Sequence, residues 1–262
     1  MIIIILLFIL IILSFLRKSS SIQTIALVTL IHKPKNIETW LKIHRDLGIS
    51  RFYIQLENTP ELVDFLKLQP DVTLTVFISN DSNQYTTLQK RQIDFTNKIL
   101  KICKEDWLIH IDSDEILHGN LNEILSLPEN VQTFWMQNVE AVYADIPESS
   151  DNCFEAIEYR DCSTSGSGCV SYINGKGGGR VVHGVKSNGP HRFKSNNGIE
   201  VKLNMVVRHY ESCDFDQYVK KFSRLSKGAK LNEIPFEYYR DSILANGNVD
   251  TLKEVYKRYR VR

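Results

Sequence analysis

The sequence predicts an α/β fold, a mostly parallel sheet flanked by helices and preceded by an N-terminal transmembrane helix. Three observations predict it: an uncharged apolar run at the start, an alternation of strand-like and amphipathic segments from residue 23, and an acidic cluster directly after the fourth strand-like run.

The opening run, residues 1–16, has no charged side chain and is closed by Arg17-Lys18 and Ser19-Ser20-Ser21. As a helix it reaches roughly 24 Å against a hydrocarbon core of ~30 Å, so a short anchor spans with help from its flanks. A signal peptide is the competing reading. No basic segment precedes the run and no small-residue cleavage site follows it, which favours an uncleaved anchor over residues 1–18 and one domain over 19–262. The expected location is a single-pass membrane protein, type II in the secretory pathway (Golgi or ER). The basic pair on the C-terminal side of the anchor leaves a cytosol-facing orientation open.

Next, Thr24–Ile31 is an unbroken apolar strand. Residues 36–47 place Ile37, Leu41, His44 and Leu47 at helical spacing and stop at Gly48. Phe52–Leu56 is the second strand, 60–68 a short helix, and Val72–Ile78 a third strand rich in β-branched residues. Residues 85–104 form the longest helix, with Leu88, Phe95, Ile99 and Ile102 on one face. It leads into the fourth strand, Trp107–Ile111. Val131–Val142 is a further strand. The stretch 145–197 loses periodicity, and its run Asn174–Arg180 reads as a flexible turn, because it lacks the ending of a phosphate-binding P-loop. Val201–Val207 is a strand, followed by a helix carrying Phe215, Tyr218, Val219 and Phe222.

Composition narrows function by exclusion. Thirty-two basic and 31 acidic residues leave a net charge of +1, so no global field draws in nucleic acid. Of the five cysteines, Cys153, Cys162 and Cys169 cluster in a loop-like stretch able to include a disulfide, Cys103 reads as core, and the odd count leaves at least one thiol free or paired with another chain. The triplet Asn80-Asp81-Ser82 is a glycosylation sequon of little weight.

The chemistry concentrates in Asp112-Ser113-Asp114-Glu115, at the carboxyl end of an apolar strand, the edge where open α/β sheets bind ligands. If the strand persists, Asp112 and Asp114 share a side, and at about 6 Å they repel by roughly 3 kcal/mol at an effective dielectric constant near 20. A divalent cation relieves that repulsion, and Mn²⁺ or Mg²⁺ keeps positions open for a diphosphate. The bland alternative is a solvated turn capping a helix that starts near Leu121.

The chain resembles the family-2-like and family-92 glycosyltransferases, which have a Rossmann-like GT-A fold. The likeness rests on Glu38-x-Trp40-Leu41-x-x-His44 with Gly48, on Phe52-Tyr53-Ile54, and on Gln89-x-Arg91-Gln92 with Asn97. It continues through Asp106-Trp107-Leu108-Ile109-x-Ile111-Asp112-Ser113-Asp114-Glu115-Ile116-Leu117 and ends in His209-Tyr210 with Ser212 and Phe215. The resemblance implies a UDP- or GDP-sugar donor, a glycan, glycoprotein or glycolipid acceptor, and Mn²⁺ or Mg²⁺ held by Asp112, Asp114 and His209. It implies further donor contacts at Gln89, Arg91, Lys176 and His191. The chain departs from the family at Lys33-Pro34-Lys35-Asn36, at Glu57, and in a shorter spacing after His209-Tyr210. An inverting transfer needs a carboxylate base; Glu140, Asp145, Glu148, Glu211 and Asp214 are available. Two other readings are a haloacid dehalogenase-like phosphatase, which also begins Asp-x-Asp after a strand, and a non-catalytic membrane-tethered glycan-binding protein.

Overall fold

A computed structural model describes residues 23–78, 85–147, 153–161, 172–228, 231, 234 and 236–262. Strand β1 (Ile25–Ile31) is buried along its whole length. It pairs in parallel with β2 (Arg51–Glu57) on one side and with β4 (Trp107–His110) on the other, and β3 (Val72–Phe77) adds in parallel to β2. Side chains alternate across a strand, so β1 feeds two cores. Ile25, Leu27 and Ile31 meet Trp40 and Leu41 of helix α1 (Ile37–Leu47) on one face. Ala26 and Val28 meet Phe95 and Ile99 of helix α3 (Tyr85–Leu100) on the other. Helix α2 (Val63–Lys67) follows a short 3₁₀ turn over Pro60–Leu62. Helix α1 stops at Gly48, whose φ of 113° is a left-handed conformation that glycine adopts at little cost.

Beyond β4 the chain forms β5 (Glu115–His118), α4 (Asn122–Leu125), β6 (Val131–Val142), β7 (Glu158–Asp161), β8 (Lys176–Arg180), β9 (Val185–Ser187), β10 (Phe193–Ser195) and β11 (Ile199–His209). Three helices close it: α5 (Phe215–Leu225), α6 (Glu237–Leu244) and α7 (Val249–Arg260). The nine-stranded sheet runs β3-β2-β1-β4-β8-β6-β11-β5 with β7 beside β6, and β9 and β10 make a separate pair.

This corrects the expected mostly parallel sheet flanked by helices. The sheet is mixed: β1 to β4 pair in parallel and so do β6 and β11, but β8 inserts antiparallel to both β4 and β6, and β5 runs antiparallel to β11. From Lys176 to Arg180 the Gly-rich run is therefore no flexible turn but a buried strand. A Cβ on Gly178 would lie 2.5 Å from Phe134 Cζ and 3.0 Å from the Leu108 carbonyl oxygen, so only glycine fits between these neighbours. A strand without side chains carries no hydrophobic alternation, which is why periodicity fails there.

The transmembrane helix is also corrected. The anchor expected at residues 1–18 lies outside the described residues. Among those described, no helix is long and apolar enough to cross a membrane. The longest, α3, has 16 residues and carries Lys90, Arg91, Asp94 and Lys98. The transmembrane helix, membrane contact through residues 1–16 and a single-pass secretory-pathway location are not retained.

Cysteine pairing differs as well. Cys153 bonds to Cys213, 60 residues away. Cys162 and Cys169 lie outside the described residues, as does the sequon at Asn80. Cys103 is a half-buried thiol that packs against the α3 side of the core and donates to Glu105.

Candidate functional site

The acidic cluster is a turn built from both ends. Strand β4 stops at His110, and the turn closes on itself: Asp112 N–H donates to Glu115 Oε2 at 2.6 Å and Glu115 N–H to the Asp112 carbonyl at 3.2 Å. Other elements fix it from outside. Trp40 Nε1–H donates to the Glu115 carbonyl at 2.7 Å, and Tyr210 N–H to that of Asp114 at 2.8 Å. His44 accepts from Leu117 N–H at 3.1 Å through Nε2 and donates through Nδ1 to the Trp40 carbonyl. Both ring nitrogens are thus used by a neutral imidazole, and burial lowers its pKa to about 4. Trp40 and His44, quoted for the family resemblance, serve here as posts that hold α1 against the turn.

Because the strand ends before Asp112, the two aspartates part company. Asp112 faces Lys176 and Gln92: the Lys176 ammonium pairs with Oδ2, and Gln92 Nε2–H donates to Oδ1 at 2.8 Å. Burial opposes charge on Asp112, yet Lys176, together with His110 and His191, holds this carboxyl below the usual range. Lys176 lies 3.2 Å from Glu115 Oε2 as well, and Tyr172 O–H donates to Glu115 Oε1. His191 packs at a tilt against Tyr172, donates through Nδ1 to the Gly175 carbonyl at 2.9 Å, and is held neutral by burial and by Lys176, its pKa lowered to about 4.

Asp114 points the other way, its side chain 44% exposed, with His209 Nε2 at 3.6 Å from Oδ2. The sheet register sets His209 opposite Glu140, and Nδ1 lies 3.1 Å from both Glu140 oxygens. Burial opposes charge on His209, but Glu140 and Asp114 raise its pKa well above the histidine norm. Arg260, fully buried at the end of α7, pairs with Glu140 at 2.9 Å and donates to the Glu211 carbonyl.

Asp114 opens onto a cavity of about 420 Å³ between the β1–α1 turn, the acidic turn and the β11–α5 corner. Its lining includes the cations Lys33, Lys35, Lys220, Lys221 and Arg224. Lys35 pairs with Asp214 at 3.1 Å and Lys221 with Glu211 at 2.6 Å.

Comparison with known proteins adds little to this geometry. No protein-family model matches the chain, and no curated protein matches it. Among solved structures, Rv0371c from Mycobacterium tuberculosis H37Rv is 11% identical over 47% of this chain and 68% of its own, with a TM-score of 0.31. A complex of the same protein with manganese is similar at a TM-score of 0.32. HddC from Yersinia pseudotuberculosis complexed with GMP-PN is 10% identical over 72% of this chain and 78% of its own, also at 0.31. Likeness at that level carries no argument about function.

Of the residues named from sequence, Asp112, Asp114, Lys176, His191 and His209 gather around the acidic turn. Arg91 does not: it forms a two-pronged pair with Glu57 at 2.7 and 3.0 Å, and Gln92 rather than Gln89 touches Asp112. Among the described residues, no group of three or more His, Cys, Asp or Glu side chains is arranged to hold a metal ion. Asp114 and His209 face each other at 3.6 Å, and Glu140 holds the other ring nitrogen of the imidazole.

The base candidates separate by surroundings. Glu140 is buried against His209 and Arg260, and Asp145 is exposed away from the cavity and accepts from Ile146 N–H. Glu148 lies outside the described residues. Glu211 and Asp214 line the cavity; Asp214 caps α5 through Gln217 N–H, while Glu211 keeps one buried oxygen without a partner. Sequence reasoning missed Tyr172 and Arg260. Gln92 and Glu57 were already conspicuous, one as part of the helix motif and the other as a departure from it.

Proposed function

We propose that the chain transfers a sugar from a nucleotide-sugar donor to a hydroxyl of a glycan, protein or lipid, with Mn²⁺ or Mg²⁺ held by Asp114 and His209. The observation that carries this reading is the Asp114–His209 pair, backed by Glu140, at the mouth of a cation-lined cavity beside the carboxyl end of β4. A bound divalent ion would supply charge neutralisation for the departing diphosphate. The protein's own groups do the rest. Lys33 and Lys220 line the cavity as exposed cations suited to phosphate oxygens, and Glu140 and Arg260 fix the orientation of His209. In this reading the base is Glu211, which lines the cavity together with Asp114.

The test is donor turnover by the purified chain against a panel of UDP- and GDP-sugars with and without Mn²⁺. Cation-dependent consumption that D114N and H209A abolish is expected. No consumption of any donor, together with no thermal shift on adding Mn²⁺ or Mg²⁺, sinks the reading.

A further inference from the structure

Every carboxylate oxygen of Asp112 and Glu115 already has a partner within the protein. Asp112 Oδ1 accepts from Gln92 and Oδ2 pairs with Lys176. Glu115 Oε1 accepts from Tyr172, while Oε2 accepts from Asp112 N–H and faces Lys176 at 3.2 Å. The ammonium that meets both groups is fully buried and has no room to wander. Its backbone is pinned on both sides. Gly175 sits at φ 61°, where an added Cβ would come within 1.9 Å of the Met136 carbonyl oxygen, and Gly177 would meet the Phe134 carbonyl oxygen at 2.9 Å. Strand pairing places Lys176 opposite Met136, so β8 delivers its side chain beneath the acidic turn.

We propose that Lys176 is a resident cation that takes the place of a metal ion at Asp112, so that Asp112 is not a metal ligand and a divalent ion is held from the Asp114–His209 side alone. The electrostatic need that a pair of close carboxylates creates is met by a lysine from a strand 64 residues further on. The comparison arm of the test rests on the Asp114–His209 cation site proposed above; the Lys176 arm is independent of the transfer reaction.

The experiment is a calorimetric Mn²⁺ titration of the full chain and its variants. K176M leaves Asp112 and Glu115 uncompensated, and Mn²⁺ should bind it at least about tenfold more tightly than wild type, or newly where wild type binds none. K176Q, which keeps a hydrogen-bonding side chain without the charge, carries the same expectation should K176M fail to fold. With Lys176 intact, D112N should leave the Mn²⁺ Kd within about threefold, whereas D114N should weaken it by about tenfold or more. Lysine variants that bind Mn²⁺ no better than wild type overturn the proposal, as does a D112N loss equal to that of D114N. A wild type that binds no Mn²⁺ counts instead against the Asp114–His209 site and leaves the lysine comparison readable.

Discussion

His209 shows how much a single side chain depends on its partners. Its Nε2 faces Asp114 while Nδ1 is held by Glu140, itself fixed by Arg260, so one half-exposed and two buried groups decide where one imidazole points. Supporting carboxylates of this kind are worth 10- to 100-fold in metal affinity elsewhere. E140Q is accordingly expected to weaken Mn²⁺ binding by about tenfold or more with Asp114 and His209 both present, read by titration of the purified variant. R260M should act differently. It takes the guanidinium away from the fully buried Glu140 carboxylate while His209 stays beside it, and a loss of about 1–3 kcal/mol in urea unfolding is expected. The acidic cluster was legible in the sequence as carboxylates after an apolar strand, whereas His209 was joined to it only by the family resemblance. That Asp112 and Asp114 face apart was not legible, since it depends on where the strand hydrogen bonds stop.

Helix α1 and strand β8 are the elements that place the site. The helix is joined to the turn through Trp40 and His44, and His44 must stay neutral to accept from Leu117 N–H. The folded imidazole titrates near 4 against 6.5 when unfolded, so between those values the unfolded chain binds more protons. Stability from this group is full above the unfolded value and is lost as pH falls toward 4, a change of about 3 kcal/mol. The gap in urea stability between wild type and H44Q should therefore be largest near pH 7 and shrink on acidification; a gap that widens instead would contradict it. Strand β8 is placed by absence of side chains. G178A puts a methyl group against Phe134 and the Leu108 carbonyl, and a loss of about 1–3 kcal/mol in thermal or urea unfolding is expected. Helix α1 was readable from its apolar spacing and closing glycine. The glycine strand was not, for what selects glycine is the closeness of Phe134, Leu108 and Val185, contributed by other parts of the chain.

Over the whole molecule, the Cys153–Cys213 bond ties the segment after β6 to the corner between β11 and α5, and both cysteines line the cavity beside Asp114. Closing a loop of 60 residues removes unfolded-state entropy worth about 4 kcal/mol, so reductant, or C153S with C213S, should lower unfolding stability by that order. Unfolding curves that coincide with and without reductant would show that the bond contributes nothing. Local pattern was enough to establish the order of β1 to β4, helices α1 and α3, and the place of the acidic cluster at the end of the fourth strand. Hydrophobic periodicity and helix-stopping residues act over a few positions and can be read along the chain. The mixed pairing of the sheet, the Cys153–Cys213 bond and the ion pairs of Lys176 with Asp112 and Arg260 with Glu140 were decided only in three dimensions. Those pairs join residues 64 and 120 positions apart, and opposite charges or thiols carry no mark of which distant partner the packed strands will bring within reach. The acidic turn is where both kinds of information meet, with its carboxylates visible in the sequence and their buried lysine supplied by the fold.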